Sequence, residues 1–121
     1  MTQPQGKPRL YSYSACSTCR KALAWLNQQG LEADVLDITA QPPSLQELEA
    51  ALQQLGRSRL FNTSGQSYRA LGAAVVKALS DAEALQALAA DGKLIKRPFL
   101  VNAAGRISTG FNPQDWATLL G

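Results

Sequence analysis

Histidine is absent from the 121 residues of this chain. That removes the usual base near neutral pH and the commonest metal ligand. Cysteine is scarce, and the two that occur, Cys16 and Cys19, stand three positions apart. No stretch approaches the roughly 18 apolar residues that a membrane span requires, so no membrane association is expected. Charge of one sign is not concentrated either. The formal charge is +3, from 12 Lys and Arg against 9 Asp and Glu, and the cations are scattered from Lys7 to Arg106. A cationic stripe able to track phosphates is missing, so no direct nucleic-acid binding is expected. The polar opening "MTQPQGKPRL" lacks the apolar core of a secretory signal. The expected location is therefore cytoplasmic, where structural disulfides are rare and a close cysteine pair points to redox chemistry, sensing or metal binding.

What is present suits one folded domain over residues 1–121. A composition of 45% hydrophobic and 17% charged residues is that of a globular chain, and this length buries roughly two thirds of its unfolded surface. Arg9–Tyr13 alternates bulky and small polar residues and reads as a strand. Cys19, Ala22, Leu23 and Leu26 recur at helical spacing over Ser17–Gln29, and Gly30 provides a stop. "EADVLDI" (Glu32–Ile38) reads as a second strand, completing a right-handed βαβ unit. Gln41–Gly92 is then a helical insertion. Ser44 with Glu47 and Ser80 with Glu83 form capping boxes. Leu45, Leu48, Leu52 and Leu55 share a face of the first helix, Leu85 and Leu88 a face of the last, and Gly72 interrupts the segment between them. The chain returns to strand in "PFLV" (Pro98–Val101), turns at "NAAG", and continues as Arg106–Gly110. Asn112 caps a final helix with Pro113 at its first position, and Trp116, Leu119 and Leu120 face inward. Trp25 and Trp116 read as core.

Cys16 and Cys19 carry the candidate chemistry. Tetrahedral zinc would need two further Cys or His ligands that the chain lacks, short of dimerisation, so no metal is expected. Two inert core cysteines are the plain alternative, opposed by their placement where a strand gives way to a helix. Side chains at i and i+3 within a helix lie about 5–6 Å apart at Cβ, whereas a disulfide needs about 3.8 Å. A Cys16–Cys19 bridge is therefore comfortable if Cys16 stands just outside the first turn. There its sulfur meets unpaired helix N–H groups and the positive end of the dipole, and pairs of this kind reach pKa values of roughly 3.5–7.5 against about 8.5 for a free thiol. Arg20 and Lys21 add positive potential nearby. Cys16 is thus expected to attack first and Cys19, deeper in the helix, to resolve the mixed disulfide. Ser17 and Thr18 are expected to cap the helix and orient its N–H groups. Ser14 and Ala15 leave room for a second molecule's thiol.

Three segments in this order, "SACSTCRKALAWL", "LFNTSGQSYRALG" and "LIKRPFLVNAAGRISTGFNPQDW", resemble the ArsC-like family of the thioredoxin-like superfamily. That family includes glutaredoxin-coupled arsenate reductases and redox-responsive regulators of the Spx/MgsR type, which bind RNA polymerase. The resemblance spans Arg9 to Leu120. It implies an α/β, thioredoxin-like (glutaredoxin-like) mixed sheet with helices on it and a helical insertion between βαβ and ββα halves. It also implies a cis bond before Pro98, facing the attacking thiol. In the reductases one cysteine attacks the oxyanion and three arginines hold it. Cys16 matches the nucleophile and Arg97 one arginine, while the other two positions fall on Asn62 and Asn112. Asparagine cannot replace a guanidinium as a charge-assisted, bidentate donor. The anion side is then expected to be Arg97, Asn62, Ser17 and Thr18. The resemblance further implies no bound cofactor, and glutathione, glutaredoxin or thioredoxin as reductant. The substrate would be a small oxyanion or a disulfide. The regulator branch implies the RNA polymerase α subunit as partner, with Gly56 in the insertion as the one candidate contact. A thiol-dependent reductase and a redox-sensing regulator both remain open.

Overall fold

The computed structural model describes residues 7–121. Most of the polar opening segment, read above for the absence of a secretory signal, lies outside these residues. Four strands, β1 (Arg9–Ser12), β2 (Asp34–Asp37), β3 (Phe99–Val101) and β4 (Ile107–Thr109), form one sheet in the order β2-β1-β3-β4. β1 pairs in parallel with β2, whereas β1–β3 and β3–β4 are antiparallel. The helix α1 (Ser17–Gln29) connects the parallel pair, and α6 (Pro113–Leu120) follows β4. Between β2 and β3 lie α2 (Leu45–Leu55), α3 (Gln66–Leu71), α4 (Ala73–Ala78) and α5 (Asp81–Ala90), with short 3₁₀ turns at Arg57–Arg59 and Gly92–Leu94. This is the thioredoxin-like mixed sheet with a helical segment between its two halves.

The period of two along each strand sorts side chains to opposite faces. Leu10 and Leu100 point to one side, where they pack with Ala22 and Leu26 of α1 and Trp116 of α6. Tyr11, Phe99, Val101 and Ile107 point to the other, against Leu48, Ala51, Leu85 and Leu88 of the inserted helices. Both capping boxes are formed, at Ser44/Glu47 and Ser80/Glu83. Glu47 does more than cap: its carboxylate also takes the Arg9 guanidinium and, at 2.8 Å, the Tyr11 hydroxyl. Burial alone would push the Glu47 carboxyl up, but these donors and the Ser44 N–H outweigh it and hold the group low. Thus α2 is tied to β1 at the strand that leads into the cysteines.

The strands are shorter than expected at their ends. Gly30, at φ 67°, closes α1, and Leu31 N–H returns to Leu26 O at 3.0 Å. Glu32 and Ala33 are thereby used in the exit from the helix, and pairing starts at Asp34. At the other end, Asp37 accepts the Thr39 N–H (2.9 Å) and hydroxyl (2.7 Å) and turns the chain. The leucine face of α2 also needs correction, because Leu45 in its first turn is 48% exposed and only Leu48 of the four is fully buried. Trp116 is sealed in the core as expected, whereas Trp25 is half-buried, edge-on to Phe111 and Trp116. Among the described residues, no helix is long and apolar enough to cross a membrane.

Candidate functional site

The loop after β1 is short and tightly held. The Cys16 N–H donates to Tyr13 O at 3.0 Å, and the Arg20 guanidinium donates to Ser14 O at 2.8 Å. Helix α1 then starts at Ser17 with Cys16 at the N-cap position, in extended backbone (φ −90°, ψ 118°). Cys16 is therefore just outside the first turn, as the bridge geometry required. Ser17 and Thr18 do not cap the helix. A capping residue must stand before the first helical one, and both hydroxyls are already inside the turn, so no side chain caps α1. Their side chains line the cavity instead.

Cys16 is half-buried and Cys19 fully buried, both as free thiols. Burial pushes the Cys16 thiol up, but the Cys19 N–H, the Cys19 thiol and the Arg97 guanidinium outweigh it and lower the pKa below the ordinary thiol range. Cys19 moves the opposite way. Its burial and its bond to the Cys16 sulfur raise it, against weaker help from the Tyr13 backbone and the Ser12 hydroxyl. The two thiols are thus pushed in opposite directions, Cys16 toward the thiolate and Cys19 toward the protonated thiol. Arg20 and Lys21 are not the cations that matter, since Arg20 is turned to the Ser14 carbonyl and neither lines the cavity.

Arg97 reaches the site from the residue before β3. The Arg97–Pro98 bond is cis as expected, and Pro98 is fully buried. The guanidinium donates from Nη1 to Lys93 O (3.2 Å) and lies with its central carbon 5.1 Å from the centre of the Tyr13 ring. A cavity of about 830 Å³ opens in front of Cys16 and Arg97. Asn62, Ser64 and Gly65 form one wall, Thr109 to Asn112 and Asp115 another. Two further cations, Arg59 and Lys96, line the same space and were not singled out in the sequence. Neither has a carboxylate partner among the described residues. Lys96 could have been found as the immediate neighbour of Arg97. Arg59 is brought in by the 3₁₀ turn after α2, whose last carbonyl is held by the Thr109 hydroxyl at 2.6 Å.

The two asparagines are at the site, each with its side-chain oxygen engaged locally. Asn112 Oδ1 accepts the N–H groups of Gln114 (2.9 Å) and Asp115 (3.1 Å), capping α6. Asn62 Oδ1 accepts the Ser64 hydroxyl at 3.1 Å and leaves its amide nitrogen beside Gly65. Gly56 lies apart from the cavity, exposed at the end of α2 with φ 85°. That backbone value accounts for a glycine without any partner.

The ArsC family model matches residues 11–119. The uncharacterized protein YusI of Bacillus subtilis is 40% identical over 114 residues, covering 88% of this chain and 96% of YusI. An arsenate reductase of Rhizobium meliloti is 34% identical over 98 residues, covering 79% of this chain and 69% of its own. The regulatory protein MgsR of Bacillus subtilis is 29% identical over 107 residues, covering 87% and 83%. Among solved structures, the crystal structure of a possible arsenate reductase from Streptococcus mutans superposes with a TM-score of 0.81. The two are 41% identical, and the match covers 89% of this chain and 93% of that one. The matched span holds the cysteine pair, Arg97 and every element of the sheet from Tyr11 onward, and the chain belongs to the ArsC family.

Proposed function

We propose that the protein is a cytoplasmic thiol–disulfide oxidoreductase, with Cys16 as the attacking thiolate and Cys19 as the resolving thiol. The observation that carries this reading is the placement of Cys16 at the N-cap of α1, three residues from Cys19 and lining one cavity with Arg97. Attack on a disulfide R–S–S–R′ forms a Cys16–S–S–R bond and expels R′S⁻. Cys19 then loses its proton to solvent and attacks the Cys16 sulfur, closing Cys16–Cys19 and releasing RS⁻. Two electrons pass from the cysteine pair to the substrate, and an external thiol such as glutathione, glutaredoxin or thioredoxin returns them. Arg97 stabilises the thiolate before attack. No bound cofactor is needed.

A disulfide is favoured over arsenate because Asn62 and Asn112 bring only neutral amide donors to the cavity, where a compact oxyanion calls for charged, bidentate ones. Arg59 and Lys96 restore cations to the cavity from other positions, which suits an anionic organic substrate larger than a lone oxyanion. The test is turnover of a model disulfide and of arsenate with an added thiol reductant. Wild type is expected to turn over the disulfide, Cys16→Ser to be inactive, and Cys19→Ser to accumulate a mixed disulfide visible by mass. Wild-type Cys16 that alkylates no faster than a free thiol at neutral pH, with no turnover of either substrate, would refute the reading. The similarity to MgsR supports a second reading, a redox-sensing regulator that binds the RNA polymerase α subunit through the helical insertion. Oxidation-dependent capture of that subunit, without disulfide turnover, would favour it.

A further inference from the structure

We infer that Tyr13 is a positioning residue, whose ring holds the Arg97 guanidinium beside the Cys16 sulfur. The inference rests on the reading of Cys16 as the attacking thiolate. A guanidinium carries five N–H donors, and Arg97 is sparsely held. Within the protein it makes one backbone bond, to Lys93 O, while its Nε is buried without a partner. It has no carboxylate partner among the described residues. The Tyr13 ring lies 5.1 Å from the guanidinium carbon, within the range at which a cation is drawn to an aromatic face. The Lys93 ammonium lies over the same ring at 5.8 Å.

The choice of an aromatic holder has an electrostatic consequence. A carboxylate would fix Arg97 more firmly but would cancel the charge that Cys16 uses. A ring orients the guanidinium and leaves its net charge for the sulfur. Tyr13 is also tied to the cysteine loop through its backbone, since its carbonyl accepts the Cys16 N–H at 3.0 Å. One residue thus links the backbone of the attacking cysteine to the cation. The other charged or titratable groups facing this cluster are Lys93 from its 3₁₀ turn, and Arg59, Lys96 and Asp115 across the cavity.

The experiment is the pH profile of Cys16 alkylation by iodoacetamide in the full reduced chain, resolved from Cys19 by peptide mass. It compares wild type with Tyr13→Phe and Tyr13→Leu, each also made with Arg97→Met. Tyr13→Phe keeps the ring and is expected to keep the wild-type midpoint. Tyr13→Leu is expected to raise it by roughly half a unit to one unit. In the Arg97→Met background the same Tyr13→Leu change is expected to add nothing, because its effect passes through Arg97. Pentafluorophenylalanine at position 13 retains the ring's shape without its electron-rich face. It is expected to behave as Tyr13→Leu even if the leucine variant fails to fold. An unchanged midpoint in the leucine and fluorinated variants overturns the inference, as does a full shift persisting without Arg97. A wild-type midpoint at that of a free thiol instead removes the underlying reading, and the inference with it.

Discussion

Replacing Gly92 by alanine isolates a steric constraint behind the site. Gly92 is buried, and a Cβ there would sit 1.9 Å from the Ile38 carbonyl oxygen, 2.6 Å from its carbon and 3.2 Å from Thr39 N. Its φ is not in the left-handed region, so the obstacle is space and not backbone conformation. Ordinary carbon–oxygen contacts are about 3.3–3.6 Å, so two backbone segments must part by roughly 1.5 Å. Neither is a flexible side-chain tip that could swing away. Overpacking costs about 1–3 kcal/mol and occasionally more, and a backbone-to-backbone clash belongs at the upper end. With an m-value of about 1–3 kcal/mol per molar, a cost of about 3 kcal/mol lowers the urea midpoint by about 1–3 M. Gly56→Ala is the comparison, because a Cβ there meets nothing within 4 Å and only its φ of 85° is strained. With ψ at 162° that backbone region is essentially reserved for glycine, and the cost is about 1–3 kcal/mol. The assay is equilibrium urea unfolding followed by tryptophan fluorescence. A Gly92→Ala midpoint equal to wild type would refute the packing argument. The site should feel the change as well. The next residue, Lys93, supplies the carbonyl that holds Arg97, so folded Gly92→Ala should also show slower Cys16 alkylation at neutral pH.

Glu47→Gln should alter the acid limb of the stability curve. Because the folded-state pKa of Glu47 is depressed by Arg9, Tyr11 and the Ser44 N–H, its contribution is full above the unfolded glutamate value of about 4.3 and is lost as pH falls through the folded one. Wild type should therefore exceed Glu47→Gln in Tm at neutral pH and converge with it in acid, and parallel curves throughout would contradict this. Trp116→Phe should cost little, about 1.5 kcal/mol or less, against about 3–5 kcal/mol for Trp116→Ala. The phenylalanine removes an indole N–H that is buried without a partner while keeping edge contacts to Phe111 and Trp25. Thermal unfolding of the two variants decides it, and equal losses would show that the ring's position, not the donor, is the issue.

The element order was legible because each boundary carries its own chemistry. Ser44 and Ser80 cap their helices with Glu47 and Glu83, Gly30 and Gly72 end theirs, and Asn112–Pro113 opens the last. The cysteine pair was legible from its spacing at a strand-to-helix junction, with Cys16 expected just outside the first turn if the two were to bridge. The capping expected of Ser17 and Thr18, by contrast, did not form. What the sequence concealed depends on contacts between distant segments. Arg59 lines the cavity from the turn after α2, whose carbonyl Thr109 holds from β4. Tyr13 meets Arg97 only because β1 and β3 are neighbours. Leu45, 48% exposed, finds no place among the buried residues that α2 packs against, and a helical repeat does not encode that. Local cations misled in the other direction: Arg20 is one residue from Cys19, but its guanidinium is drawn to the Ser14 carbonyl.

A thiol site that handles anions must both ionise its sulfur and hold what the sulfur attacks, and these requirements are separable. The first needs a helix start, a nearby donor and one uncancelled cation. Cys16, Cys19 and Arg97 supply all three within a few residues of the β1–α1 loop and the start of β3. The second needs several donors converging on one small anion. Here Asn62 and Asn112 line the cavity with neutral amides, which give an anion donors but no charge. Arg59 and Lys96 carry charge into the same cavity without an ion-pair partner among the described residues. Spread through a space of about 830 Å³, that charge matches acidic groups set at a distance from the reacting sulfur better than it matches a compact tetrahedral oxyanion. Comparing alkylation by a neutral and a carboxylate-bearing iodo reagent tests this directly. Arg59→Met and Lys96→Met should slow the anionic reagent selectively, while leaving the neutral one and the midpoint of Cys16 unchanged. Equal slowing of both reagents would show that these cations act on the sulfur and not on its substrate.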